Sequence, residues 1–219
     1  MISERFNERM AGMFYLVGTL LGVLSISTVI DGDSYLNEAA SSANMVVFAG
    51  IMQLLMALCY LGFALCLVNV LKKYNRTLTY TFLTTRAIAI VCNVFGVAVI
   101  LLLLKLSQMY VSNVYDTTNF AVLGELLRSL RDILNHVVMI IIHSIGGIAL
   151  YLILFKDKLV QNWLAILGII SSFGMILLSL FVAFNMIEIV SLLYILCSFP
   201  IIIVEIIIAF KLVIRGLTS

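Results

Sequence analysis

The sequence predicts an all-α, polytopic membrane protein: a bundle of six transmembrane helices, with N-terminus and C-terminus cytoplasmic, plus one outer amphipathic helix. Three observations carry this expectation. Of 219 residues, 63% are hydrophobic and only 11% are charged, whereas a soluble domain uses about 25% charged residues to cover its surface. Six stretches reach the roughly 20 apolar residues that a helical span needs. None shows the alternating segments of about 10 residues that build a membrane β-barrel. Residues 1–219 are therefore expected to form a single six-helix transmembrane domain, embedded in a cell membrane as a multi-pass protein.

The first span is expected at residues 10–30. Arg5 and Arg9 precede it, and Ser25 to Ser27 loosely imitate a signal-peptide cleavage site, but its length and the Gly18/Gly22 packing face favour retention as a span. The following segment, 31–44, offers Asp33 or Ser34 as a helix cap. The second and third spans are expected at 45–71 and 78–104, joined by a short basic turn. A glycosylation sequon, Asn75, Arg76, Thr77, falls in that turn, on the side where glycans are not added.

The segment 117–136 reads as an amphipathic helix. Leu123, Leu126, Leu127, Leu130, Ile133 and Leu134 recur at helical spacing, while Glu125, Arg128 and Asp132 line the other side. It leads into the fourth span at 137–155, lying either in the outer headgroups or over a cavity mouth. The fifth and sixth spans are expected at 164–185 and 189–210. Pro200, the one proline, removes a helical hydrogen bond in the sixth and should bend it there.

Orientation follows from the basic residues, which collect on the cytoplasmic side. With the N-terminus inside, the inner segments hold nine of them: Arg5, Arg9, Lys72, Lys73, Arg76, Lys156, Lys158, Lys211 and Arg215. The outer side holds Arg128 and Arg131, with Lys105 at the boundary. The cysteines Cys59, Cys66, Cys92 and Cys197 all fall in spans and read as small apolar groups.

Two ionic side chains stand where lipid-compatible ones are expected: Arg86 and Glu205. A charge at bilayer depth costs roughly 2.5 to 3.5 kcal/mol on insertion scales, so it persists when paired, hydrated or functional. Arg86 lies about 12 Å along its helix from Leu78, and Glu205 about 9 Å from Lys211, at 1.5 Å per residue. The two depths agree. A glutamate is too short to reach the headgroups from there. Asn93, seven residues beyond Arg86, continues the same helix face. His143 sits near the bilayer middle, where it either hydrogen-bonds across to another helix or joins Arg86 and Glu205. It is about 10 Å along the axis from His136, too far for the two to share an ion. No metal site and no cofactor motif follows from these residues, and two histidines on one helix exclude a haem clamped between helices.

Four stretches together carry a family resemblance. Arg9, Met10, Ala11, Gly12, Met13, Phe14, Tyr15 and Leu16 open the first span; Asn75, Arg76, Thr77 and Leu78 precede Arg86. Phe155 to Val160, with Trp163 and Leu164, form the inner hinge; Pro200, Glu205, Ala209, Arg215 and Gly216 close the sixth span. In order and spacing the chain resembles the bacterial membrane family catalogued as domain of unknown function 4386. The resemblance implies a six-helix fold and no activity. Members of that family usually carry a proline in the inner hinge and an aromatic residue near the end of the last span, where this chain has Gln161 and Lys211.

Three functions fit these residues. The first is binding or transport of a small-molecule or lipid ligand at a polar site formed by Arg86, Asn93, His143 and Glu205, marked by a cavity reaching them. The second is a non-catalytic interaction protein for assembly, sensing or self-protection, in which the Arg86–Glu205 pair is structural. The third is an intramembrane enzyme with Glu205 or His143 as acid or base, for which no nucleophile is found. The basic residues are too scattered for a nucleic-acid surface. The expected partner is the lipid bilayer, and the ligand-binding function is the one adopted.

Overall fold

A computed structural model describes residues 4–112, 119–189 and 191–217. Its helices are α1 (Glu4–Leu24), α2 (Thr28–Asp31), α3 (Tyr35–Ser41), α4 (Ala43–Leu71), α5 (Arg76–Val111), α6 (Phe120–Asp132), α7 (Met139–Lys156), α8 (Asn162–Ala183) and α9 (Leu192–Ile214). There is no strand among the described residues. Among the described residues, five helices are long and apolar enough to cross a membrane: Ala43–Leu71, Arg76–Val111, Phe120–Lys156, Asn162–Ala183 and Leu192–Ile214.

The expected first span divides in two. α1 ends at Leu24, where the backbone N–H and hydroxyl of Ser25 both turn back to the Gly22 carbonyl, and the short α2 follows. α1 also starts earlier than its apolar run, carrying Glu4, Arg5, Glu8 and Arg9 in its first turns. Those charges separate it from the five more apolar helices.

Local chemistry sets the other boundaries. Asn75 caps α5, its side chain accepting from the Leu78 N–H at 3.0 Å; Ser191 does the same for α9 toward Tyr194 at 3.3 Å. Such caps satisfy backbone donors that a helix start leaves orphaned. α5 runs for 36 residues, about 54 Å at 1.5 Å per residue, well beyond a hydrocarbon core of about 30 Å. The amphipathic helix is present as α6. A π-helical segment, Ile133–Val138, joins it to α7 without a break, while Thr117 and Thr118 lie outside the described residues.

α6 packs along α5 and grips the α2–α3 connection with its charged face. Arg131 pairs with Asp31 at 2.5 Å. Arg128 donates to the Asp31 carbonyl at 3.0 Å and lies over the Tyr35 ring at 4.8 Å. Its apolar residues Val122, Leu126 and Leu130 point outward and are exposed.

Six long helices form a closed ring in chain order: α1 against α4, α4 against α5, α5 against α7, α7 against α8, α8 against α9, and α9 back against α1. Without water-driven attraction, such contacts depend on close backbone approach. Gly12 on α1 supplies this at the closing seam, facing the Ala209 carbonyl and Leu212 of α9. Gly18 sits similarly against Cys59 and Tyr60, Gly146 against Thr85, and Gly147 against Ser172, as expected of contact glycines.

The end of the bundle that holds both termini is the most tightly fastened. Glu8 is fully buried and accepts from the Leu217 N–H at 3.1 Å. Arg5 donates to the Ile214 carbonyl, and Lys211 to the Leu159 carbonyl. Gly216 adopts φ +83°, the left-handed turn that ends many helices because glycine has no Cβ to clash there.

Candidate functional site

Three helices deliver side chains to the Glu205 carboxylate of α9. Tyr15 of α1 donates its hydroxyl to Glu205 Oε2. Arg86 of α5 places Nη2 3.7 Å from Glu205 Oε1, and His143 of α7 places Nε2 3.4 Å from the same oxygen. Arg86 Nη1 also donates to the His143 ring, with Nδ1 2.5 Å away.

The surroundings reinforce the arrangement. The Arg86 guanidinium stands 5.4 Å from the Phe82 ring centroid and 5.9 Å from that of Phe63, within reach of cation–π attraction. Tyr60 closes the group from α4, its ring 5.4 Å from Tyr15 and 6.3 Å from His143. Opposite charges in contact, with hydrogen bonds to the remaining lone pairs, are what allow ions to persist at this depth.

The cluster is enclosed but not sealed. Arg86 is 1% exposed, and its Nε is buried with no partner. A cavity of about 10 Å³ lined by Tyr15, Phe63, Arg86, Tyr151 and Glu205 adjoins it, room for about one water molecule. The side chains of His143 and Glu205 keep 24% and 14% of their surface open. A larger hollow, about 330 Å³, lies away from this chemistry, between Leu24, Ile26, Val29, Met45 and Phe48 near the far end of α1.

Of the residues expected in the site, Arg86, His143 and Glu205 meet. Asn93 does not join them. It sits two turns away on α5, where Gln53 Nε2 donates to its carbonyl at 3.2 Å and approaches Asn135 Oδ1 at 3.4 Å. His136 likewise stays apart, 3.2 Å from the Tyr194 hydroxyl. Sequence reasoning missed Tyr15 and Tyr60, whose rings look like ordinary apolar filling. Gln53, the single glutamine of α4, was a usable signal. No group of three or more His, Cys, Asp or Glu side chains able to hold a metal ion occurs among the described residues.

Residues 10–216 match the family model described as Domain of unknown function (DUF4386). The chain belongs to that family. No curated protein and no solved structure matches it. Gln161 and Lys211, where the family resemblance leads one to expect a proline and an aromatic residue, each make a local contact. Gln161 stands at the N-terminal boundary of α8 with φ −60°, the angle a proline ring would impose, and its side chain accepts from the Trp163 indole N–H at 2.8 Å. Lys211 ties α9 to the hinge carbonyl of Leu159.

Proposed function

We propose that this DUF4386 protein binds, and moves, a small or amphiphilic molecule at the Tyr15–Arg86–His143–Glu205 cluster. The observation that carries the proposal is a carboxylate held by side chains from three other helices while it and His143 retain open surface. A purely structural pair needs no such opening. In this proposal α1 is a sixth span, because it closes the ring between α4 and α9. The termini face the cytoplasm, where nine of the basic residues gather, and the membrane is the cell membrane. α6 lies at the outer boundary with its exposed leucines toward lipid.

The small cavity beside Arg86 favours a second reading, in which the cluster only locks α1, α5, α7 and α9 together and the protein acts through partners. Glu205→Gln separates the two. The amide preserves shape and removes the charge. Mass spectrometry of the purified protein detects co-purifying amphiphiles, and melting in detergent reports stability. The binding proposal expects the variant to lose retained molecules and to keep most of its thermal stability. A variant that melts far lower yet retains the same molecules establishes the structural reading instead.

A further inference from the structure

The Glu205 carboxylate is held unevenly. Its Oε2 accepts from Tyr15, whereas the donors facing Oε1 are His143 Nε2 at 3.4 Å and Arg86 Nη2 at 3.7 Å. A charge-assisted bond from N–H to a carboxylate closes to about 2.7–2.9 Å. Both contacts are longer than that, so Oε1 keeps lone pairs that no side chain engages closely. An ionised carboxylate at bilayer depth with one oxygen in this state has an open position for a proton.

The groups that face it can be named helix by helix. α1 presents Tyr15, α4 Tyr60, α5 Arg86, and α7 both His143 and Tyr151. α8, which packs against α9, carries no titratable side chain along Asn162–Ala183. Arg86 Nη1 stands 2.5 Å from His143 Nδ1, and like charges that close repel. The imidazole is therefore neutral, and the carboxylate is the group left to take a proton. In this arrangement the cluster holds one positive charge, on Arg86, and one negative charge, on Glu205.

Space decides what can arrive there while the ring is closed. The adjoining cavity of about 10 Å³ is backed by Leu150, Ile208 and Ala209 on the side of the termini. It has room for one water and none for an organic molecule. Arg86 Nε, buried without a partner, is the kind of donor that buried water satisfies. Glu205 and His143 keep open surface, so the cluster is not cut off from that water's exchange.

We propose that Glu205 is a proton-binding site, taking up one proton at Oε1, and that this proton is the ion coupled to the binding and movement proposed above. The coupling rests on that reading; the proton site itself does not. In the uptake step one O–H bond of a hydronium in the water-sized cavity breaks and one forms at Oε1, leaving a neutral water. The charge of the cluster rises by one. Arg86 and His143 then lose the anion that ties them to α9. Neither α5 nor α7 neighbours α9 in the ring, so the ionic tie across the centre runs through this carboxylate, and proton uptake releases it.

Infrared spectra of the purified protein in lipid vesicles test the site, taken between about pH 4 and pH 9 to span carboxylate and imidazole titration. The wild type should gain, as pH falls, a carbonyl band of a protonated carboxyl that shifts on deuteration and is lost in Glu205→Gln. Identical carboxyl bands in wild type and E205Q overturn the proposal. So does a titration seen only in the imidazole bands. Should E205Q fail to fold, Tyr15→Phe carries the test: it removes the bond to Oε2 and should move one carboxyl band while the others stay, and an unmoved set is the overturning result. For the coupling, mass spectrometry reads the amphiphiles retained after washing on either side of the band's midpoint. Retention should change at least about tenfold across it, the ratio that one pH unit of linkage gives; equal retention rejects the coupling. If nothing is retained at either pH, the binding role fails, while the band still decides the proton site.

Discussion

Gly12→Ala tests whether the closing of the ring depends on backbone contact between α1 and α9. A Cβ at residue 12 would lie 2.5 Å from the Ala209 carbonyl oxygen, 2.7 Å from Val213 Cγ2 and 3.0 Å from Leu212 Cβ. The first falls about 0.9 Å short of the 3.4 Å at which ordinary contact begins. The obstacle is helix backbone, which no rotamer change can move aside. The seam must therefore open, and overpacking of this kind costs about 1–3 kcal/mol. Helix propensity works in the opposite direction, since alanine gains up to about 1 kcal/mol over glycine in a helix interior. The expected net effect is a loss of up to about 2 kcal/mol once the full propensity gain is set against that cost. Gly174→Ala is the matched control, because its Cβ would meet nothing within 4 Å and only the propensity gain remains. Melting of both variants in the same detergent measures the difference. Tyr15 lies one turn from Gly12 and donates to Glu205, one turn from Ala209, so opening the seam should also loosen the site. If Gly12→Ala melts at or above the Gly174→Ala temperature, the tight-seam argument is wrong.

Three further outcomes follow from local geometry. Asn75→Ala removes the side-chain acceptor of the Leu78 N–H and should lower stability by about 0.5–2 kcal/mol, read as a shift in melting. Gln161→Pro should raise it by about 0.4–1 kcal/mol, since φ is already −60°; a lower melting temperature would show that the hinge needs the glutamine itself. Glu8→Ala removes the buried acceptor of the Leu217 N–H, a charge-assisted bond of about 1.5–3 kcal/mol. Hydrogen exchange at residues 215–217 should accelerate first, and unchanged protection there would rule out the latch.

The hydropathy of the chain was sufficient to place α4, α5, α7, α8 and α9, because a lipid environment demands length and apolarity of every span and leaves little else to choose. It was equally sufficient to mark Arg86 and Glu205, since their cost in lipid is large and their depths could be computed from helical rise alone. The α1–α2 break was less legible: Ser25 and Ser27 are common in apolar helices, and the turn is made by bonds back to the Gly22 carbonyl.

By itself the sequence determined the class, the five most apolar helices and the two misplaced charges, because each depends on properties summed along one segment. Only the tertiary structure decided that His143 and Tyr15 share the Glu205 carboxylate while Asn93 belongs with Gln53 and Asn135. Helical periodicity states which face a residue occupies, but not which face of another helix it meets. That choice is made by seams such as Gly12 against Ala209 and by the π-helical segment that sets how α6 and α7 meet α5, and these act between segments far apart in the chain.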